Sequence, residues 1–403
     1  MTMLEFPAGR ITMDRTRRQL LGSIGGAAAV VALRPVTALA NNAASTFAAV
    51  QDPEVTRFAM ADEHITDQYL YSPIEVTAPG VVFERCIFKS VHPQHTLLTT
   101  GERTQVHNCD FLGDYTYGAR RGIAVNSPGV IIAKSRFRDL HHAQDAQCIA
   151  GWDDTRDLLI EDCFGEASGE NVMFGGADAL SQERQPQNII IRRCTWTKPT
   201  YWSSKPSGAT VKNCLELKNA KRVLIEDCNF AQSWLDGQTG FCIVLTVRNQ
   251  DGSNPWASIE DVTIRKCVTR DTIGVFQVLG VDDTYPSGIM RRVTLEHCRF
   301  EFRDGTAIQL GNGIEGFDVR HCNFWSASNG KFLGFNNPQR RNVGLTVSDS
   351  DANEGYYGIH GDDTAAGQPT LDVYAPDATF SNVTLWRTQP NNFPYPTGIT
   401  VVG

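Results

Sequence analysis

The chain has 403 residues, 41% of them hydrophobic, and a formal net charge of −8 at pH 7. The hydrophobic share is enough for a continuous core, while the acidic balance argues against a nucleic-acid partner and against an anionic membrane surface. A polyanionic substrate would therefore need a basic cleft of its own.

Residues 1–40 have the pattern of an export signal rather than of a folded domain. The paired arginines Arg17 and Arg18 precede Leu20 and Leu21, in a stretch that resembles the twin-arginine signal. A weakly apolar run follows, and residues 38–40 form an Ala-x-Ala-like cleavage site. The sequence thus predicts a periplasmic or secreted protein that has no membrane attachment once the signal is removed.

Residues 41–75 lack the repeat that fills most of the chain, and we expect them to form an N-terminal cap. The open end of a solenoid needs a polar cover over its apolar core. A short helix is a candidate near residues 53–60 of this segment.

From residue 76 to residue 385 one pattern recurs, apolar-x-apolar-x-x-Cys-x-apolar, with Val223–Phe230 as its clearest copy. The copies are 23 to 39 residues apart and centre on Cys86, Cys109, Ser135, Cys163, Cys194, Cys228, Cys267, Cys298, Cys322 and, more weakly, Ser350. A repeat of this length indicates a solenoid, and apolar residues at period two within each copy indicate strands. The prediction is an all-β, single-domain right-handed parallel β-helix of about ten coils, with residues 386–403 as an outer tail.

Eight of the eleven cysteines occupy the same inward slot of successive copies. Ser135 and Ser350 fill that slot without a thiol to pair with. Buried cysteine behaves as a small hydrophobic residue, and no cysteine spacing here resembles a zinc site. The repeat thiols are therefore predicted to be buried, stacked and unbridged.

A second strand in each coil ends in a turn rich in Asn, Gly and Asp. Alternation along a strand predicts that if Leu215 and Leu217 point inward, their neighbours point outward. One outer wall would then carry Glu216, Lys218, Thr246, Arg248, Gln277 and Gln309. Two alignments of the coils stay open, with Lys218 opposite Arg248 or opposite Thr246.

The longest insertions fall on the same middle coils, which favours a binding face there. Their connections carry Trp202, Trp234 and Trp256, which could stack on sugar rings or serve as packing anchors. The competing interpretation of the whole wall is an ordinary solvated sheet face, because exposed ion pairs contribute little.

The repeat resembles that of the pectate-lyase-like superfamily of parallel β-helices over residues 76–385, and segments such as 171–178 and 216–219 resemble uncharacterised secreted bacterial members. The resemblance implies a polysaccharide or oligosaccharide as partner. Lys218 and Arg248 are similar in placement to the base and acid of chondroitinase B-like and alginate lyases. The calcium-binding glutamates of those lyases are not matched, because Asn213 and Val211 stand at the comparable positions. The sequence therefore contains no recognisable ligand pattern for calcium.

The leading prediction is a lyase that cleaves a uronate-containing polysaccharide by β-elimination. Lys218 would act as the base, while Arg248, Gln277 or Gln309 would neutralise the substrate carboxylate. Glu216 and Trp234 complete the predicted substrate-binding set.

Two alternatives from other classes stay open. One is a glycoside hydrolase with paired carboxylates, for which Asp282 and Asp283 are candidates, although adjacent acids recur at three turns and are more typical of turn caps. The other is a non-catalytic glycan-binding β-helix protein, which the fold alone does not exclude.

Overall fold

The computed structural model describes residues 54–91, 94–114, 118–204, 208–337 and 340–403. The predicted export signal and the first part of the predicted cap lie outside these residues. None of the described helices is long and apolar enough to cross a membrane.

The described chain winds as a right-handed parallel β-helix, in which short strands from successive coils pair side by side. We number the strands along the chain and group them into three faces. Face 1 contains twelve parallel strands: β1 (Thr56–Phe58), β4 (Ile74–Val76), β7 (His95–Thr99), β10 (Arg121–Val125), β13 (Gln147–Gly151), β16 (Val172–Phe174), β19 (Leu215–Leu217), β22 (Phe241–Thr246), β25 (Gly274–Leu279), β28 (Thr306–Gly311), β31 (Lys331–Asn336) and β33 (Ile359–Gly361).

Face 2 follows face 1 along each coil, and it carries most of the repeat strands. Its strands are β2 (His64–Thr66), β5 (Val82–Glu84), β8 (Gln105–His107), β11 (Ile131–Ala133), β14 (Arg156–Glu161), β17 (Gln187–Arg192), β20 (Ala220–Glu226), β23 (Ile259–Arg265), β26 (Arg291–Glu296), β29 (Glu315–Arg320), β32 (Val343–Asn353) and β34 (Thr379–Trp386).

Face 3 completes each coil after the repeat turn, and the second halves of β32 and β34 continue it. Its other strands are β3 (Tyr69–Tyr71), β6 (Ile87–Lys89), β9 (Asp110–Leu112), β12 (Arg136–Leu140), β15 (Phe164–Ala167), β18 (Thr195–Thr197), β21 (Asn229–Ser233), β24 (Val268–Thr272), β27 (Arg299–Phe302), β30 (Asn323–Ser326) and β35 (Ile399–Val402). Two short 3₁₀ helices at Gln182–Arg184 and Thr200–Ser204 lie in the long connections, and α1 spans Gln368–Tyr374.

The turn between faces 2 and 3 explains the spacing of the repeat. The residue before each cysteine slot has a left-handed backbone, as at Asp162 (φ 54°) and Arg193 (φ 54°). Such a backbone is costly for residues with a β-carbon, but it brings the side chains of neighbouring coils together. Arg193 donates two hydrogen bonds to Asp162, at 2.8 and 2.9 Å. The turn therefore needs no glycine, and the small residue that follows it enters the core.

The cysteine prediction is confirmed, because all eleven thiols are buried and free. The eight repeat thiols stack along the solenoid, and the Cys298 sulfur accepts a hydrogen bond from the Cys267 backbone N–H at 3.3 Å. Ser135 has the same role, since its hydroxyl accepts from the Cys109 N–H at 3.1 Å. Two places beyond the slot, Phe88 and Phe111 stack with ring centroids 4.4 Å apart, close to the distance between paired strands.

We expect all eleven cysteines to react with an alkylating reagent in denaturant without reductant. Without denaturant they should be protected, because each thiol is buried and only an accessible thiolate reacts readily. Mass spectrometry of the alkylated protein measures both states. Two or more of the repeat cysteines found in disulfides would contradict the stacked-thiol core.

The ends of the solenoid differ from the predictions. Strand β1 begins at Thr56, where a short helix was expected, and pairs with β4 in parallel. The coils therefore start about twenty residues before the predicted boundary, and face 1 has twelve strands among the described residues. The tail is not simply an outer segment, since β35 pairs with β34. Helix α1 packs at this end, with Tyr374 fully buried and its ring 5.6 Å from that of Phe335.

Candidate functional site

The outward-facing positions of face 1 form one continuous row across the coils, here called the outer row. The strand register defines it as Ala124, Ala150, Met173, Glu216, Val244, Gln277 and Gln309. The predicted alternation is thus correct for these strands. Leu217 lies opposite Leu245, which aligns Lys218 with Thr246, while the main-chain N–H of Arg248 donates to the Lys218 carbonyl at 2.9 Å.

Glu216 and Lys218 form an ion pair at the end of β19, with Nζ 3.6 Å from Oε1. Glu216 is only 3% exposed. Its other oxygen accepts hydrogen bonds from the amides of Asn213 at 2.8 Å and Gln238 at 3.4 Å. Burial would raise the pKa of Glu216, but Lys218 and these donors outweigh it and lower the pKa. Glu216 thus lies beneath the surface and holds Lys218, rather than presenting a carboxylate to a ligand.

Arg248 is directed toward the next turn. Its guanidinium contacts the carboxylate of Asp283 and lies 3.5 Å from that of Asp282. Asp282 also accepts hydrogen bonds from the N–H groups of Asn249 and Thr284, both at 2.7 Å. The two aspartates therefore cap a turn and neutralise Arg248, and the charge of Arg248 is less available to a ligand than predicted.

The remaining predicted residues divide into two groups. Gln277 and Gln309 are register partners on the outer row, and both are partly exposed. Trp234 lies apart from that row and packs against a small apolar cluster containing Trp202. Trp202 is fully buried, and its indole N–H donates to Asp139 at 3.3 Å. Trp202 is thus a packing anchor, and Trp234 covers it.

A cluster of charged residues beside the outer row was not predicted. Glu170, which precedes β16, is 1% exposed and accepts a hydrogen bond from the Gln147 amide at 2.6 Å. The Lys212 ammonium lies 3.3 Å from Glu170 and also contacts Asp145, which Arg120 approaches to 3.8 Å. These side chains come from the bends before the face 1 strands, where alternation makes no prediction.

The pKa values of the two buried glutamates are shifted in opposite directions. Burial, reinforced by the charge of Glu216, raises the pKa of Glu170 above its ordinary value. Glu216 is shifted the opposite way. Burial would also lower the pKa of Lys212, but Glu170 and Asp145 outweigh it and raise that pKa. Lys212 therefore keeps its charge although it is only partly exposed.

The site thus has two layers. Glu170 and Glu216 form the buried layer, and the partly exposed layer above it contains Arg120, Arg121, Lys212 and Lys218, together with Asp145. Among the described residues, no group of three or more His, Cys, Asp or Glu side chains is arranged to hold a metal ion. The partly exposed layer has four cations and one carboxylate and is here called the basic layer, although the buried glutamates pair with its two lysines.

No protein-family model matches the chain, and no curated protein matches it either. Among solved structures, the tailspike protein gp49 of Acinetobacter baumannii bacteriophage Fri1, a capsular polysaccharide depolymerase, is similar at 10% identity and a TM-score of 0.46 over 84% of this chain and 57% of that one. The Dettilon tailspike protein gp208 is similar at 15% identity and a TM-score of 0.46, over 86% of this chain and 60% of that one. The Streptococcus pneumoniae surface protein and adhesin PfbA is similar at 10% identity and a TM-score of 0.34, over 70% of this chain and 91% of that one.

The match therefore spans only about three fifths of the length of the two tailspikes. None of these similarities bears on the residues of the site.

Proposed function

We propose that the protein binds a uronate-containing polysaccharide along face 1 and cleaves it by β-elimination. The observation that carries this proposal is the basic layer of Arg120, Arg121, Lys212 and Lys218 on a chain whose net charge is −8. Clustered cations on one surface of an acidic protein attract a polyanion to that surface and away from the rest. The buried glutamates below it keep the two lysines in place.

Elimination suits this arrangement because its difficult step develops negative charge. A base removes the proton next to the uronate carboxylate, the electron pair forms a carbon–carbon double bond, and the glycosidic carbon–oxygen bond breaks. The leaving oxygen takes up a proton, and no water is consumed. Fixed cations near the carboxylate stabilise the charge that develops.

Lys218 is the proposed base, as its partly exposed ammonium borders the outer row. Glu216 holds its side chain at the edge of that row. Gln277 and Gln309, further along the row, would bind the chain, while Arg248, held by its two aspartates, would contribute less.

A glycoside hydrolase is the second candidate, and the opposite pKa shifts of Glu170 and Glu216 favour it. A protonated acid beside an ionised carboxylate is the pair that hydrolysis requires. Both groups lie below Lys212 and Lys218, however. Hydrolysis would therefore need those lysine side chains to move aside before a sugar could reach the carboxylates.

Incubation with a panel of uronate polysaccharides separates these functions. The lyase should produce the ultraviolet absorbance of an unsaturated uronate on at least one of them, in step with new reducing ends. Reducing ends without that absorbance would identify a hydrolase instead. Binding with neither signal would identify a glycan-binding protein and would overturn the proposal.

A further inference from the structure

A small recess on face 1 lies beside the basic layer and shares Arg121 with it. It has a volume of about 170 Å³, far above the roughly 10–15 Å³ that one water needs. Its lining residues are His95, Arg121, Trp152, Met173, Gly175, Gly176 and Ala177. Two small residues of the outer row lie on strands that border the recess. Ala124 lies on β10, which begins with Arg121, and Ala150 lies on β13, which ends just before Trp152.

Arg121 is the unusual residue of the recess. Within the described part of the chain it forms no ion pair, and its buried Nε has no hydrogen-bond partner. Many arginines on the coils are paired, as Arg184 is with Asp153 and Arg193 with Asp162, and those among the described residues without an ion pair, such as Arg138 and Arg270, are exposed. Burial lowers the pKa of Arg121, although a guanidinium remains protonated in proteins. Asp145 and Glu170 favour its charge without forming an ion pair with it, against burial and the charge of Arg120. A sheltered cation with no directly contacting counter-ion is costly, so an anion from outside the chain would stabilise it.

The guanidinium is also held in position. Its central carbon lies 5.2 Å from the centroid of the Trp152 ring, a distance at which cation and aromatic face attract. The ring thus restrains the position of the guanidinium, and a positioned guanidinium suits the bidentate binding of a carboxylate.

Two glycines connect the recess to the proposed base. Gly175 and Gly176 have φ of +95° and +85°, backbone conformations that residues with a β-carbon rarely adopt. A β-carbon on Gly175 would lie 2.8 Å from Cβ of Lys218, and one on Gly176 would lie 3.9 Å from its Nζ. The glycines thus let Lys218 pass close to the recess, which places a second cation beside it.

We propose that this recess is a subsite for one uronate residue, with Arg121 binding its carboxylate and Trp152 holding the guanidinium in place. The inference rests on the proposed function, because it names the substrate group that the recess takes. It assigns selectivity for acidic over neutral sugars to Arg121, a residue separate from Lys218.

The test is calorimetric binding of three tetrasaccharides, made from galacturonate, mannuronate or hyaluronan, each beside a counterpart with its carboxyl groups reduced to alcohols. The parent protein should bind at least one acidic tetrasaccharide roughly tenfold or more tighter than its reduced counterpart, because a charge-assisted hydrogen bond is lost on reduction. Arg121→Gln should lose this preference, Arg121→Lys should keep part of it, and Lys89→Ala on face 3 should keep all of it.

Equal affinities of parent and Arg121→Gln for the acidic tetrasaccharides would overturn the subsite, as would a parent that binds none of them. Melting curves show whether Arg121→Gln is folded. Trp152→Phe keeps a ring under the guanidinium, and its binding of the same tetrasaccharides is measured beside that of the parent. The two proposals fail separately. Arg121-dependent binding without unsaturated products would support the subsite and contradict the lyase. Cleavage that is unaffected by Arg121→Gln would support the lyase and contradict the subsite.

Discussion

Replacing Lys218 with alanine should lower the turnover of a uronate polysaccharide by roughly 10²–10⁴-fold, the usual contribution of a general base. The loss should appear in kcat, because the remaining cations of the basic layer still bind the polymer. The fold should persist, since Lys218 lies on the outer surface and Glu216 keeps its hydrogen bonds from Asn213 and Gln238. Initial rates of ultraviolet absorbance, with a melting curve of the same preparation, measure both effects.

The matched control is Lys89→Ala, which removes the same charge from face 3. Arg248→Ala should lose less rate than Lys218→Ala, because Asp282 and Asp283 already neutralise Arg248. A Lys218→Ala protein with the parent's turnover would remove this residue from the reaction and return face 1 to an ordinary solvated sheet.

Replacing Ile225 with aspartate should abolish soluble expression. Ile225 is fully buried on β20, and an unpaired carboxylate in that position costs several kcal/mol out of a total stability of about 5–15 kcal/mol. Its neighbour Leu224 points outward and is partly exposed. Leu224→Asp should therefore give folded protein in near-normal yield.

Soluble yield and melting temperature of the two variants, prepared in parallel, provide the comparison. Normal behaviour of Ile225→Asp would mean that the alternation of the face 2 strands is wrong, and with it the assignment of the core.

The middle coils could be predicted from the sequence because each repeat carries a cysteine slot after a strand with alternating apolar residues. The first coil could not, since β1 to β4 are three-residue strands without a cysteine. The same applies to β35, whose pairing with β34 joins segments that share no repeat motif. Local alternation over three residues is too weak a signal to distinguish a strand from a loop.

The site was predictable only where alternation applies. The outer row of Glu216, Gln277 and Gln309 follows from the parity of the strands. The burial of Glu216 does not follow from strand parity, because Gln238 contacts it from a loop 22 residues away. Glu170 and Lys212 were not predicted either, because both lie in bends before strands, where side-chain direction depends on the path of the chain.

Cleavage in oxygen-18-labelled water, followed by mass spectrometry of the products, tests the central claim most directly. Elimination consumes no water, so the products should contain no label from the cleaved bond, and the new non-reducing end should be lighter by the mass of one water than a hydrolysis product. The parent protein with a cleavable uronate polysaccharide should give this result, and Lys218→Ala should give little product at all. New non-reducing ends that are not lighter by one water would contradict β-elimination and would favour the hydrolase.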